Sequence, residues 1–148
     1  MNGRAHRLAG GLAGGGTAVA TRRGQSDLEI VVEVIAGMAG GIVGSKIPDW
    51  AEPAINSWHR GPVHSLTAAT LGGTAALPQL QALDDWRDRR LLELRRAQGL
   101  ARTQEEANAC LIEIVFWLAV AAFLKGLLAG YLSHLALDAT TPRGIPLL

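Results

Sequence analysis

The sequence predicts an all-α protein: about five helices packed as a bundle, with a charged helical insert, associated with a membrane. Three observations predict it. No stretch alternates apolar and polar residues over a useful length, so strands have no signature. Long apolar segments recur along the chain, which is 49% hydrophobic and only 18% charged, against roughly 25% charge in typical soluble domains. And charge is concentrated, with twelve charged residues falling between Asp84 and Glu106. A length of 148 residues fits one domain, 1–148, with 84–106 as its insert.

The first helix is expected over 5–21. Arg4 and Arg7, then Leu8 to Ala20 ending in Ala18-Val19-Ala20, imitate a secretory signal. Five glycines inside the run (Gly10, Gly11, Gly14, Gly15 and Gly16) make it a poor signal core, so it is expected to stay as a helix. The second helix is expected over 27–45, where Val31, Val32, Val34, Ile35, Met38, Ile42 and Val43 are interrupted only by Glu29 and Glu33. Lys46 to Arg60 reads as a loop because Pro48 and Pro53 punctuate it. Gly61-Pro62 then starts a helix over 62–82, with Pro at the first helical position and Pro78 inside.

The insert predicts a helix over 84–99 whose stripe is Leu83, Trp86, Arg90, Leu94, Ala97 and Ala101, part of a water-facing amphipathic hairpin. The last helix, 104–137, is the most apolar, with Lys125 the only charge between Ile114 and Asp138 and a break expected near Gly126 or Gly130. It exceeds the roughly 20 apolar residues that span a bilayer, if Lys125 is buried or snorkels. Thr141 to Leu148 is an irregular tail. Gly37, Ala39, Gly40, Gly41 and Gly44, with Gly126, Ala129 and Gly130, allow helices to approach closely.

Several function classes drop out. The chain is too apolar for disorder, and Cys110 is its only cysteine, so no disulfide scaffold exists; Cys110 reads as a small core residue. Nucleic-acid binding has no support, because six acidic residues of the insert offset its six arginines and the net charge is +1. The glycines after His6 are no phosphate loop, since no strand precedes them and no Gly-Lys-Ser/Thr follows.

What remains is a set of histidines and aspartates in apolar, Gly-rich surroundings. His134 and Asp138 stand at i,i+4, on one helical face, where imidazole and carboxylate can share a divalent ion or simply hydrogen-bond. Asp49 lies on the Pro-bounded loop, and His59 and His64 flank the next helix start. Arg60 could hold an anion with its forked donors or pair with Glu52. With His6, the inventory is four imidazoles and two carboxylates, which matches one or two zinc-like ions with open positions for water. Asp49, His64 and Arg60 are the candidate catalytic residues.

Ile47-Pro48-Asp49, His59-Arg60-Gly61-Pro62-Val63-His64-Ser65 and Gly130-Tyr131-Leu132-Ser133-His134-Leu135-Ala136-Leu137-Asp138, with Thr141-Pro142-Arg143-Gly144, resemble the membrane-bound metal-dependent hydrolases. These are small bacterial and phage inner-membrane proteins. The order early His, Pro-Asp, His, His-x-x-x-Asp is also similar to the helical zinc-dependent phospholipase C class. The resemblance covers nearly the whole chain except the insert; Val63 stands where the family often has Thr. It implies an inner-membrane location, a metal site of His6, Asp49, His59, His64, His134 and Asp138, and a hydrolase whose substrate the resemblance does not supply; the leading expectation is metal-activated water attacking an ester or phosphoester, lipid among the candidates. The competing expectation is a non-enzymatic helical membrane or phage assembly protein with a structural or vestigial metal site. A soluble bundle with unlinked histidines is a third. Convergence or separation of these six residues in space decides whether metal chemistry is available.

Overall fold

The computed structural model describes residues 3–21, 26–53, 61–141 and 144–145. Among these residues the structure is helical throughout: α1 (Gly3–Thr21), α2 (Asp27–Gly44), a short α3 (Ile47–Ala51), a 3-10 turn (Pro62–His64), α4 (Leu66–Leu100) and α5 (Gln104–Ala139). The expected all-α class holds. Three boundaries differ, each for a local reason.

The segment expected to be a loop contains α3, because Pro48 sits in its first turn, where proline is tolerated. The expected helices 62–82 and 84–99 are one helix. Ser65, not Gly61-Pro62, caps it: its hydroxyl accepts from Ala68 N at 3.0 Å, while Pro62 opens the 3-10 turn. Pro78 lies on the exposed side of α4 and does not end it. Finally, α5 runs unbroken through Gly126 and Gly130. Capping boxes start α2 (Ser26 with Glu29) and α5 (Thr103 with Glu106).

The helices α1, α2 and α5 pack against one another, and α4 folds back along α5. The three-helix contact is made by glycine. A Cβ at Gly41 would collide with the carbonyl oxygen of Gly10 on α1, and one at Gly130 of α5 would collide with that of Gly41. One turn along, Gly14, Gly37 and Gly126 repeat the arrangement. Each layer thus takes one glycine from each helix, and successive layers are four residues apart. Backbones can touch this closely only without side chains, the packing mode of membrane helices.

The next layer in one direction is Ala18, Glu33 and Ala122, all buried. Here α4 contributes. Arg87 Nη1 lies 2.7 Å from Asp84 Oδ1 and 3.7 Å from Glu33 Oε1, and Lys125 Nζ lies 3.2 Å from Asp84 Oδ1. Lys125 is therefore held by a carboxylate in the protein and does not snorkel. This also turns the insert: its buried residues are Arg87, Leu91 and Leu94, the leucines packing on Ile114 and Leu118. The expected stripe through Leu83, Trp86 and Arg90 is displaced, and Trp86 stays 40% exposed, edge-on to Trp117. The insert is not purely water-facing, because Arg90 pairs with Glu113 of α5 at 2.7 Å and Arg95 with Glu29 of α2 at 2.7 Å.

Two segments are long and apolar enough to cross a membrane: Asp27–Ala51, with mean hydropathy 1.7, and Gln104–Ala139, with 2.2. At about 1.5 Å per residue, α5 is about 54 Å long, well beyond the roughly 30 Å of bilayer hydrocarbon. Much of their apolar surface faces outward: Val31, Ile35, Ile112 and Phe116 are all more than half exposed. Water would penalise such surface and lipid would not.

Candidate metal centre

In the other direction, the glycine ladder leads to polar residues. One turn beyond Gly10, Gly41 and Gly130 stand His6, Ser45 and His134, and one turn further along α5 is Asp138. The helices that touch at glycine leave room here for two imidazoles, and the rings of His6 and His134 stack with centroids 4.0 Å apart. Asp49 arrives on α3, and His64 ends the 3-10 turn. Four elements thus deliver five candidate ligands to one place.

The distances are those of a shared centre. His134 Nε2 lies 3.5 Å from Asp138 Oδ2 and 3.6 Å from Asp49 Oδ1. His64 Nε2 lies 3.6 Å from the same Asp49 oxygen, and His6 Nε2 lies 3.4 Å from Asp138 Oδ1. Good hydrogen bonds would be shorter, at about 2.7–3.2 Å. Two atoms each about 2.0–2.1 Å from a tetrahedral zinc lie about 3.3–3.4 Å apart, close to the observed spacing. The set divides into two overlapping triads, His6–His134–Asp138 and Asp49–His64–His134, each with its ligand atoms within 4.8 Å of one another.

Hydrogen bonds behind the rings decide which nitrogen faces inward. The Nδ1 of His134 lies 2.6 Å from the Ser45 carbonyl oxygen. A carbonyl only accepts, so Nδ1 carries the hydrogen and the Nε2 lone pair points into the centre. That nitrogen is buried and has no hydrogen-bond partner among the described residues. His64 is turned the same way: its Nδ1 lies 2.7 Å from Glu52 Oε2, while Glu52 Oε1 accepts from Val63 N at 2.7 Å. A ring fixed from behind by a carbonyl or carboxylate is the usual arrangement of a metal-bound histidine. Because His134 offers one nitrogen to both triads, the described residues form a single shared centre, not two separate sets of three ligands.

Electrostatics point the same way. His64 and His134 are fully buried, His6 is 5% and Asp138 3% exposed, whereas the Asp49 side chain is 44% exposed. Burial, and then the neighbouring His134, hold the His6 imidazole below the ordinary histidine range, in the neutral form that ligates. Burial raises the Glu52 carboxyl, but hydrogen bonds from His64 and the Val63 amide bring it net below the usual carboxylate range. Two carboxylates gathered in a largely buried cluster are costly there without a partner of opposite charge, and one divalent cation would supply it.

Of the six metal candidates, His6, Asp49, His64, His134 and Asp138 come together. His59 and the candidate catalytic Arg60 lie outside the described residues. Sequence reasoning missed the supporting groups. Glu52 entered only as a possible partner of Arg60, and the Ser45 carbonyl not at all. Glu52 and His64 stand twelve residues apart, a separation with no periodic signal. Ser45, however, was recoverable, since it extends the series Gly37, Gly41 by one more step of four.

No curated protein and no solved structure matches the chain. Residues 1–148 match the family described as YdjM inner membrane protein. That description names a location and no reaction, and it agrees with the two apolar spans. The chain belongs to the YdjM inner membrane protein family.

Proposed function

We propose that the protein is a metal-dependent hydrolase of the inner membrane, acting on an ester or phosphoester. The observation that carries this reading is the convergence of His6, Asp49, His64, His134 and Asp138, with His134 and His64 oriented from behind by Ser45 and Glu52. One of the two triads that share His134, His6–His134–Asp138 or Asp49–His64–His134, would hold the ion, zinc being the best match to the donor set. A divalent ion in such a place supplies Lewis-acid polarisation of an ester or phosphoryl oxygen and activation of water.

The chain's own residues do the rest. Ser45 and Glu52 keep the imidazole lone pairs aimed inward. Asp138 and His6 close the buried side against water. Asp49 stands on the exposed side, where substrate and water must enter, and its carboxylate can take the proton that water gives up. In the net reaction the water oxygen bonds to the acyl or phosphoryl centre, the bond to the leaving alcohol breaks, and the alcohol acquires the proton. His64 and Asp49 are thus the residues nearest the chemistry; Arg60 would serve as an anion holder.

The test is metal analysis of protein purified in mild detergent without chelators. About one equivalent of zinc is expected, falling to background in His134→Ala. Metal-free wild-type protein sinks the reading. The near-complete burial of four ligands favours a second reading, a closed structural site in a non-enzymatic protein. Cobalt-substituted protein separates the two: added azide changes the visible spectrum if a position is open and leaves it unchanged if the site is closed.

A further inference from the structure

Beside the metal centre, α4, α5 and α3 enclose an apolar groove of about 360 Å³ whose walls include Ile47, Gly72, Ala76, Leu80, Leu128 and Tyr131. The trough exists because α4 presents glycine and alanine one turn apart; nothing lies within 4 Å of where a Gly72 Cβ would sit. Its one hydroxyl is turned away, since Tyr131 Oη donates to the Val63 carbonyl at 2.8 Å. The groove's residues neighbour those of the candidate site. Tyr131 lies one turn before His134 on α5, Val63 precedes His64, and Ile47 shares α3 with Asp49, the exposed ligand.

We infer that this groove holds the hydrocarbon chain of the substrate, which is therefore a lipid with its ester or phosphoester at the metal centre. The occupant follows from position. The groove runs along α5 from Leu124 to Tyr131, inside a membrane-spanning segment of an inner-membrane protein, where acyl chains are the surrounding medium. Two of its residues, Ile47 and Tyr131, stand on the helices that carry Asp49 and His134. A water-soluble substrate would have no use for an apolar trough there, whereas a lipid entering sideways would place its polar linkage beside Asp49 and His64. This inference rests on the hydrolase reading.

The experiment measures binding of hexadecyl phosphate and butyl phosphate to detergent-solubilised protein by native mass spectrometry, together with zinc content, for wild type and Gly72→Leu. The open space around Gly72 lets leucine fill the groove without disturbing the helix contacts. Wild type is expected to prefer the long chain by at least about tenfold, given several methylenes buried. Gly72→Leu should lose that preference while keeping its zinc and its butyl phosphate binding. Zinc-loaded wild type with no chain-length preference, or Gly72→Leu that retains it, overturns the groove and leaves the metal reading standing. Zinc-free wild type that still prefers the long chain overturns the hydrolase reading, and with it the groove's role in holding a substrate.

Discussion

Replacing Gly130 by alanine tests whether the glycine ladder sets the geometry of the metal centre. An alanine Cβ there would lie 2.8 Å from Gly41 Cα and would run into the Gly41 carbonyl oxygen. Ordinary carbon contacts are about 3.5–4.0 Å, so α2 and α5 must separate by about 1 Å. Alanine also favours the helix over glycine by about 1 kcal/mol. Gly72→Ala receives the same helical gain with no contact, because its Cβ meets nothing within 4 Å, and so serves as the reference. Relative to it, Gly130→Ala should be less stable by about 1–3 kcal/mol, the usual cost of overpacking. The displacement reaches the site one turn away. It would stretch the 2.6 Å hydrogen bond from His134 to the Ser45 carbonyl towards about 3.6 Å, outside useful range. Loss of such an outer partner weakens metal binding by about 10–100-fold. Thermal unfolding of both variants in one detergent and zinc titration against a chelator read the two effects. If Gly130→Ala matched Gly72→Ala in stability and bound zinc like wild type, the ladder would not position the centre.

Three other perturbations have defined outcomes. Glu52→Gln keeps shape but weakens the acceptor behind His64, and should lower zinc affinity by about 10–100-fold with little change in unfolding temperature, measured by the same titration. Arg87→Met leaves Glu33 buried without its guanidinium and should destabilise the fold by about 3–5 kcal/mol, whereas adding Glu33→Gln should recover much of the loss in detergent unfolding. For pH, His6 has a folded-state pKa below the ordinary value of 6.5. The unfolded chain therefore binds more protons between the two values, so this contribution to stability is fully present above pH 6.5 and is lost as pH falls through the folded value. Metal-free protein should melt progressively lower as it is acidified below that point, and His6→Gln should flatten the dependence.

The fold class was legible because it rests on period and composition, which are local. Helix boundaries were less so. Gly61-Pro62 was the expected start and the charged insert the expected boundary, yet Ser65 caps the helix and α4 runs unbroken from Leu66 to Leu100. The stripe of the insert was misplaced because an apolar periodicity was sought, while the buried residue that orients α4 is Arg87, drawn inward by Glu33 of a distant helix. The five converging side chains were named from residue type and spacing. Glu52 was not, because its role rests on a contact with a residue twelve positions away, which no local pattern encodes.

The four-residue step explains why the polar groups lie where they do. Along α5 the inward positions are Ala122, Gly126, Gly130, His134 and Asp138, and along α2 they are Glu33, Gly37, Gly41 and Ser45. The two middle layers have no side chains and draw three backbones into contact. Beyond them, side chains fill the space between three helices whose separation is already fixed. At the Glu33 end the filling is an ion pair reached by α4; at the other end it is stacked imidazoles and a carboxylate. A metal ligand set needs side chains held to within a fraction of an ångström. Backbone-to-backbone glycine contact supplies that rigidity without a large hydrophobic core, which a small protein in lipid could not use to drive its helices together.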